Sequence, residues 1–150
     1  MDRQYNYHAS AHWALHEHGI VRASEEIPHT FTFSSPPEFG GEAGVWTPEH
    51  LLLAAVATCF VATFRGVARA SKLEFQSIDV IVEGVVGRQE GFLRFTKVMV
   101  RPDLTILQDA DRERALRLLE KAEHVCLIAR SLSGVVELLP RVETEAPVAV

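Results

Sequence analysis

The segment that most constrains this chain is residues 47–70. Thr47-Pro48-Glu49 is a helix start. Threonine can cap the first free N–H groups, proline suits the first helical position, where no N–H is needed, and an acid in the first turn complements the helix dipole. From Leu51 to Ala62 every residue but Thr58 is apolar. A helix that is apolar on every side is one that should be buried on every side. Only its second half, with Arg65 and Arg69, turns towards solvent. A chain of 150 residues can build one sizeable core. Covering such a helix takes several elements, so an extensive symmetric dimer burying well above ~2,000 Å² is expected.

The flanking segments supply the cover. Residues 5–15 alternate, with Tyr5, Tyr7, Ala9, Ala11, Trp13 and Leu15 on one side and His8, His12 and His16 among the residues on the other. Period two predicts a half-buried strand. With a turn at Gly19 and a return from Ile20, an N-terminal hairpin over about 5–24 is expected. Residues 29–34 alternate again, and the Pro- and Gly-rich stretch 34–44 reads as a loop. Residues 75–86 and 92–101 predict a hairpin ended by Pro102. A helix beginning near Asp109 or Asp111 carries Ala115, Leu118, Leu119, Ala122 and Val125 at helical spacing. A short helical turn over 127–133, a last strand from Val135 to Val142 and a frayed tail over about 144–150 complete one α+β domain spanning 1–150.

Composition removes whole classes of function. With 47% hydrophobic and 23% charged residues the chain is an ordinary globular one. A formal charge of −5 disfavours nucleic acid and anionic membrane surfaces as partners. No uninterrupted apolar run reaches the ~18–20 residues that span a bilayer. The first ten residues, MDRQYNYHAS, lack the apolar core of a signal peptide. A cytoplasmic location is therefore expected.

Only Cys59 and Cys126 are present, too few for a secreted disulfide framework. Each alone reads equally well as a small buried hydrophobe. As a pair, both on helices, they form the inventory of a peroxide-reducing dithiol. In that chemistry one thiolate becomes a sulfenic acid and a second thiol condenses with it to a disulfide.

The segments SPPEFGG (35–41), TPEHLLLAAVATCF (47–60) and AEHVCLIARSL (122–132) resemble the osmotically inducible protein C and organic hydroperoxide resistance (OsmC/Ohr) family. That family has a loop ending in Gly-Gly, an Asn-Pro-Glu-x-Leu helix leading to a Cys-Phe or Cys-His pair, and an Ala-Glu-x-x-Cys-Pro-x-Ser motif about 65 residues later. Here the second cysteine follows the first by 67 positions, and the likeness covers about residues 10–143. The resemblance implies an intertwined α+β homodimer in which antiparallel sheets wrap long central helices. It implies thiol-dependent reduction of organic hydroperoxides, an antioxidant stress-response activity, with Cys59 as peroxidatic and Cys126 as resolving cysteine. The family's Glu falls on Glu49. No bound cofactor or metal is implied. The reductant is an external dithiol, in some members a lipoylated protein.

The sequence also departs from the family pattern. Thr47 replaces Asn, and Leu127 and Ala129 replace the Pro and Ser after the second cysteine. The arginine that the hydroperoxide-resistance subgroup carries before the hairpin glycine is Glu17 here, which points to the OsmC-like branch. Cys59 lies more than two turns into its helix, beyond reach of the dipole, so a donor from another segment must activate it. Arg22 is the candidate cation.

Ten residues separate Glu49 from Cys59, about 15 Å along a helix. Glu49 is thus either a first-turn acid or a member of the partner subunit's site. His124 and Arg130 could lower the Cys126 pKa or simply sit at helix ends. The histidine row reads as a solvated strand face rather than a metal site. A pocket lined by Leu52, Val56, Phe60, Phe39 and Trp46 would suit an apolar peroxide tail. The alternative to the peroxidase is a non-enzymatic protein on the same fold that binds a small hydrophobic ligand and keeps both cysteines as core residues.

Overall fold

The computed structural model describes residues 2–15, 18–23 and 26–145. They fall into two compact units, Met1–Leu52 and Leu53–Val150, with the boundary inside the long helix.

In the first unit β1 (Ser10–His12), β2 (Gly19–Arg22) and β3 (Phe31–Phe33) form a three-stranded antiparallel sheet with β2 in the middle. The hairpin is shorter than the alternating run. Tyr5 and Tyr7 are exposed and belong to no strand. Gly19 is not in the turn but in β2, opposite Phe33. A Cβ there would stand 2.5 Å from the Trp13 ring and 2.7 Å from the Phe33 ring, two rings that meet edge to face at 5.8 Å. The glycine makes room for that aromatic pair. His16, Glu17, Ser24 and the tail residues 146–150 lie outside the described residues.

Helix α1 (Pro48–Ala70) starts as its sequence dictates. Thr47, buried, accepts the His50 N–H on its hydroxyl at 3.1 Å, the geometry of an N-cap. The same hydroxyl lies 2.7 Å from the His50 ring nitrogen.

In the second unit β4 (Phe75–Gln89) and β5 (Phe92–Ile106) form a long antiparallel hairpin. They are joined by Glu90-Gly91, both at positive φ (53° and 84°), a turn that matches strand twist. Pro102 does not end β5; it is buried inside it, opposite Val80. The reason lies on the other edge. The single final strand expected from the sequence is two, β6 (Val135–Leu138) and β7 (Arg141–Thr144), both parallel to β5. β6 lies along Lys97–Val100 and β7 along Asp103–Ile106, so Arg101 and Pro102 face the interruption at Leu139-Pro140. A residue without an N–H is tolerated where the neighbouring ladder is broken. The sheet is therefore mixed rather than wholly antiparallel. Order also reaches past the expected start of fraying: Thr144 is in β7, and the Glu145 N–H bonds the Ile106 carbonyl at 3.0 Å.

Helix α2 (Arg112–Val125) buries Ala115, Leu118, Leu119 and Ala122. Val125, expected in that stripe, is exposed; Cys126, four residues after Ala122, takes the core position instead. Helix α3 (Leu127–Arg130) follows directly. The core joins these residues to Val98, Val100, Leu104 and Ile106 of β5 and to Val56, Phe60, Phe64 and Ala68 of α1.

Those four α1 residues are spaced four apart, one stripe rather than the full circumference. The expectation that the helix is covered all round is thus not met within its own chain. On its open side Ala57, Thr58, Val61, Ala62 and Arg65, with Val80 of β4, line a cleft of about 300 Å³. By length and mean hydropathy α1 could also cross a bilayer, a property that the count of uninterrupted apolar residues does not register. The core helix of a soluble protein passes the same test. The architecture is α+β, with one antiparallel and one mixed sheet and a central helix.

Candidate functional site

The two cysteines reach one place from opposite ends of the second unit. Cys59 lies halfway along α1 and is half-buried; Cys126 is fully buried at the junction of α2 and α3. At that junction the backbone of Cys126 is extended (φ −64°, ψ 113°), so one residue closes α2 and opens α3. Helix starts leave their first N–H groups without carbonyl partners. Here the Leu127 and Ile128 N–H groups favour charge on the Cys59 sulfur.

Burial pushes the Cys59 thiol up. The Ile128 N–H, the Cys126 thiol, the Thr63 hydroxyl and the Leu127 N–H favour the thiolate and outweigh it, so the thiol sits below its ordinary pKa. Cys126 goes the other way. Burial raises it, and the charge and hydrogen bonding of Cys59 raise it further, against the N–H groups of Ala129 and Ile128. Two like groups whose environments push their pKa values apart are the usual mark of divided roles, with Cys59 the thiol more easily ionised and Cys126 the less.

The donors that favour the Cys59 thiolate are neutral. Of these donors, those at 126–128 come from another segment and the Thr63 hydroxyl from the same helix. Arg130 is exposed and gives its guanidinium to the His124 carbonyl at 3.2 Å, so it ties off the end of α2. His124 is exposed beside it. Arg22 is exposed at the end of β2, opposite Ser10. Glu49 occupies the first turn of α1, ten residues before Cys59 in the same helix. Its Oε2 is buried and has no hydrogen-bond partner among the described residues.

The expected peroxide pocket is corrected. Val56 and Phe60 are core residues with essentially no exposure, so they line no cavity. Trp46 instead borders a cleft of about 250 Å³ with Gly44, Val45 and His50. Phe39 borders another, of about 360 Å³, with Trp13 and Glu42 among its walls. Both lie in the first unit. Among the described residues no three His, Cys, Asp or Glu side chains gather as metal ligands. His18 lies 3.6 Å from Glu42.

Sequence reasoning missed Thr63, Leu127 and Ile128. Thr63 was open to detection, since a residue four after Cys59 shares its helix face. The two N–H groups were not, because nothing in the side chains of Leu127 or Ile128 announces them.

Comparison with known proteins places this arrangement. The family model described as OsmC-like protein matches residues 41–138. YmaD, an uncharacterized protein of Bacillus subtilis (strain 168), is 29% identical over 139 residues, covering 89% of this chain and 91% of its own. An OsmC-like protein of unknown function from Vibrio cholerae superposes with a TM-score of 0.83 at 17% identity, over 91% of this chain and 99% of the other. An organic hydroperoxide resistance protein from Legionella pneumophila does so with a TM-score of 0.73 at 26% identity, over 95% and 99%.

Proposed function

The chain belongs to the OsmC-like family, and from that premise we propose that it is a thiol-dependent peroxidase reducing organic hydroperoxides through Cys59 and Cys126. The observation that carries this reading is the asymmetry of the thiol pair, with the half-buried Cys59 thiol pushed down and the buried Cys126 thiol pushed up. The relative named for organic hydroperoxide resistance supports the substrate class.

The Cys59 thiolate attacks the terminal oxygen of the hydroperoxide. The O–O bond breaks, the alkoxide leaves and takes a proton to become the alcohol, and Cys59, oxidised by two electrons, becomes a sulfenic acid. The Cys126 sulfur then attacks the sulfenic sulfur. An S–S bond forms, and hydroxide leaves as water with the proton that Cys126 gives up. An external dithiol, of which a lipoylated protein is one form, supplies two electrons and two protons to restore both thiols.

The reading includes a cytosolic homodimer. The open apolar side of α1 asks for a cover that its own chain does not give. The unpaired Glu49 oxygen asks for a donor, and a second subunit would meet both needs.

The test is thiol titration before and after cumene hydroperoxide. Loss of two thiols per chain, recovered with a dithiol and abolished in Cys59→Ser, is the expected result. Two thiols that the peroxide leaves untouched would overturn it and favour a small-ligand binding protein with structural cysteines.

A further inference from the structure

We infer that Thr63 is a positioning residue for the Cys59 thiolate, its hydroxyl donating to Sγ and fixing where the sulfur points. The inference rests on the reading of Cys59 as the attacking thiol. Thr63 Oγ1 lies 3.8 Å from Cys59 Sγ, one turn further along α1. Residues four apart on a helix stack on one face, so the contact follows from the sequence spacing.

The same helix contains its own control. Threonine inside a helix usually turns its hydroxyl back on a carbonyl one turn earlier. Thr58 does so, donating to the Ala54 carbonyl at 2.8 Å and the Ala55 carbonyl at 3.2 Å. Thr63 makes no such bond among the described residues; its half-buried hydroxyl is left to the sulfur.

A second observation gives that contact a distinct role. The other donors to Cys59 all come from 126–128, the segment that carries the resolving thiol. Disulfide closure draws the two sulfurs to ~2.05 Å. It consumes one of those donors and shifts the others relative to Cys59. Thr63 shares a helix with Cys59 and keeps its place throughout. A hydroxyl both donates and accepts, so it can donate to the thiolate before attack and accept from the sulfenic S–OH after it.

The experiment compares the full-length protein with Thr63→Val, which keeps the branched shape without the hydroxyl, and Thr63→Ser, which keeps the hydroxyl. Iodoacetamide modification of Cys59 is followed against pH by peptide mass spectrometry, together with the rate of cumene hydroperoxide consumption and the melting temperature. In Thr63→Val the pH profile moves to the alkaline side and modification at pH 7 slows about two- to fourfold, the loss of one hydrogen bond to a half-buried charge. Thr63→Ser stays near wild type, and melting is unchanged in both. A Thr63→Val profile that coincides with wild type overturns the inference, as does a Thr63→Ser profile displaced as far as that of Thr63→Val. Should Thr63→Val not fold, Thr63→Ala is judged by the same criteria. A profile that moves in a protein that consumes no hydroperoxide removes the peroxidase reading and leaves the hold of Thr63 on the thiolate standing. Hydroperoxide consumption with an unmoved profile removes Thr63 alone.

Discussion

Replacing Leu127 by proline deletes one N–H from the donors around Cys59 and disturbs little else. Leu127 is the first residue of α3, where proline is accepted because the N–H has no helical partner. The residue before a proline must be extended, and Cys126 already is, at φ −64° and ψ 113°. The Leu127 side chain is 66% exposed, so no core contact is lost. A hydrogen bond to a charged group contributes ~1.5–3 kcal/mol when well buried. Cys59 is only half-buried and Leu127 is the weakest of its donors, which leaves about 0.5–1 kcal/mol.

At a pH below the thiol pKa, that energy lowers the thiolate population about two- to fivefold. A more basic thiolate is also a better nucleophile, with a Brønsted slope of about 0.4–0.5, and this returns part of the loss. Iodoacetamide modification of Cys59 at pH 7 should therefore slow only about 1.5- to 2.5-fold. The alkaline plateau should rise by up to about twofold. The two profiles cross, a signature that a damaged or less accessible site would not give, since that would lower the rate at every pH. Coincident profiles, or a Leu127→Pro profile displaced to the acid side, would refute the assignment of backbone donors to Cys59.

Other outcomes follow from the same contacts. In Cys126→Ser, one equivalent of cumene hydroperoxide should leave Cys59 as a sulfenic acid that dimedone captures; absence of the adduct while peroxide is consumed would move the chemistry elsewhere. In Cys59→Ser, the Cys126 titration midpoint should fall, because the neighbouring charge that raises it is gone; an unchanged midpoint would deny the coupling. Gly134→Ala places a Cβ 2.5 Å from the Phe95 carbonyl oxygen, a backbone atom that cannot turn aside. It should cost ~1–3 kcal/mol, read as a lower melting temperature. Light scattering at micromolar concentration should give twice the chain mass of 16.7 kDa, and a stable monomer would deny the covering role given to a second subunit.

What the sequence made legible was local. The Thr47 cap, the Pro48 start, the α2 stripe and the short turn after Cys126 each depend on residues within a few positions of one another, and each appears where chemistry puts it. Pro102 was misread because its tolerance depends on two strands more than 30 residues away, whose registers leave a gap beside it. The run 5–15 looked like one long strand because alternation records which side of a strand is apolar, not whether a partner lies alongside. For α1, hydrophobicity shows how much surface needs cover but not which chain supplies it. At the site the two sulfurs and the Thr63 spacing were open to reading, while the rest of the neutral activation was not, since it depends on backbone N–H groups that any residue but proline would bring.

In the proposed peroxidase, that activation would order the chemistry. A cation beside Cys59 would stay in place whatever the sulfur became. Hydrogen-bond donors on the resolving segment are different, because they are tied to the group that reacts next. While Cys59 is a thiolate, its charge pushes the buried Cys126 thiol up, which disfavours Cys126 as a competing nucleophile. In the peroxidase reading proposed above, attack on the peroxide would turn Cys59 into a neutral sulfenic acid. The charge that raised Cys126 then disappears, and the N–H groups of Ala129 and Ile128, which already favour its thiolate, are opposed by burial alone. Cys126 becomes easier to ionise at the moment an electrophilic sulfur appears beside it. Coupling of this kind needs no moving cation and no third side chain, only two thiols that share one helix start.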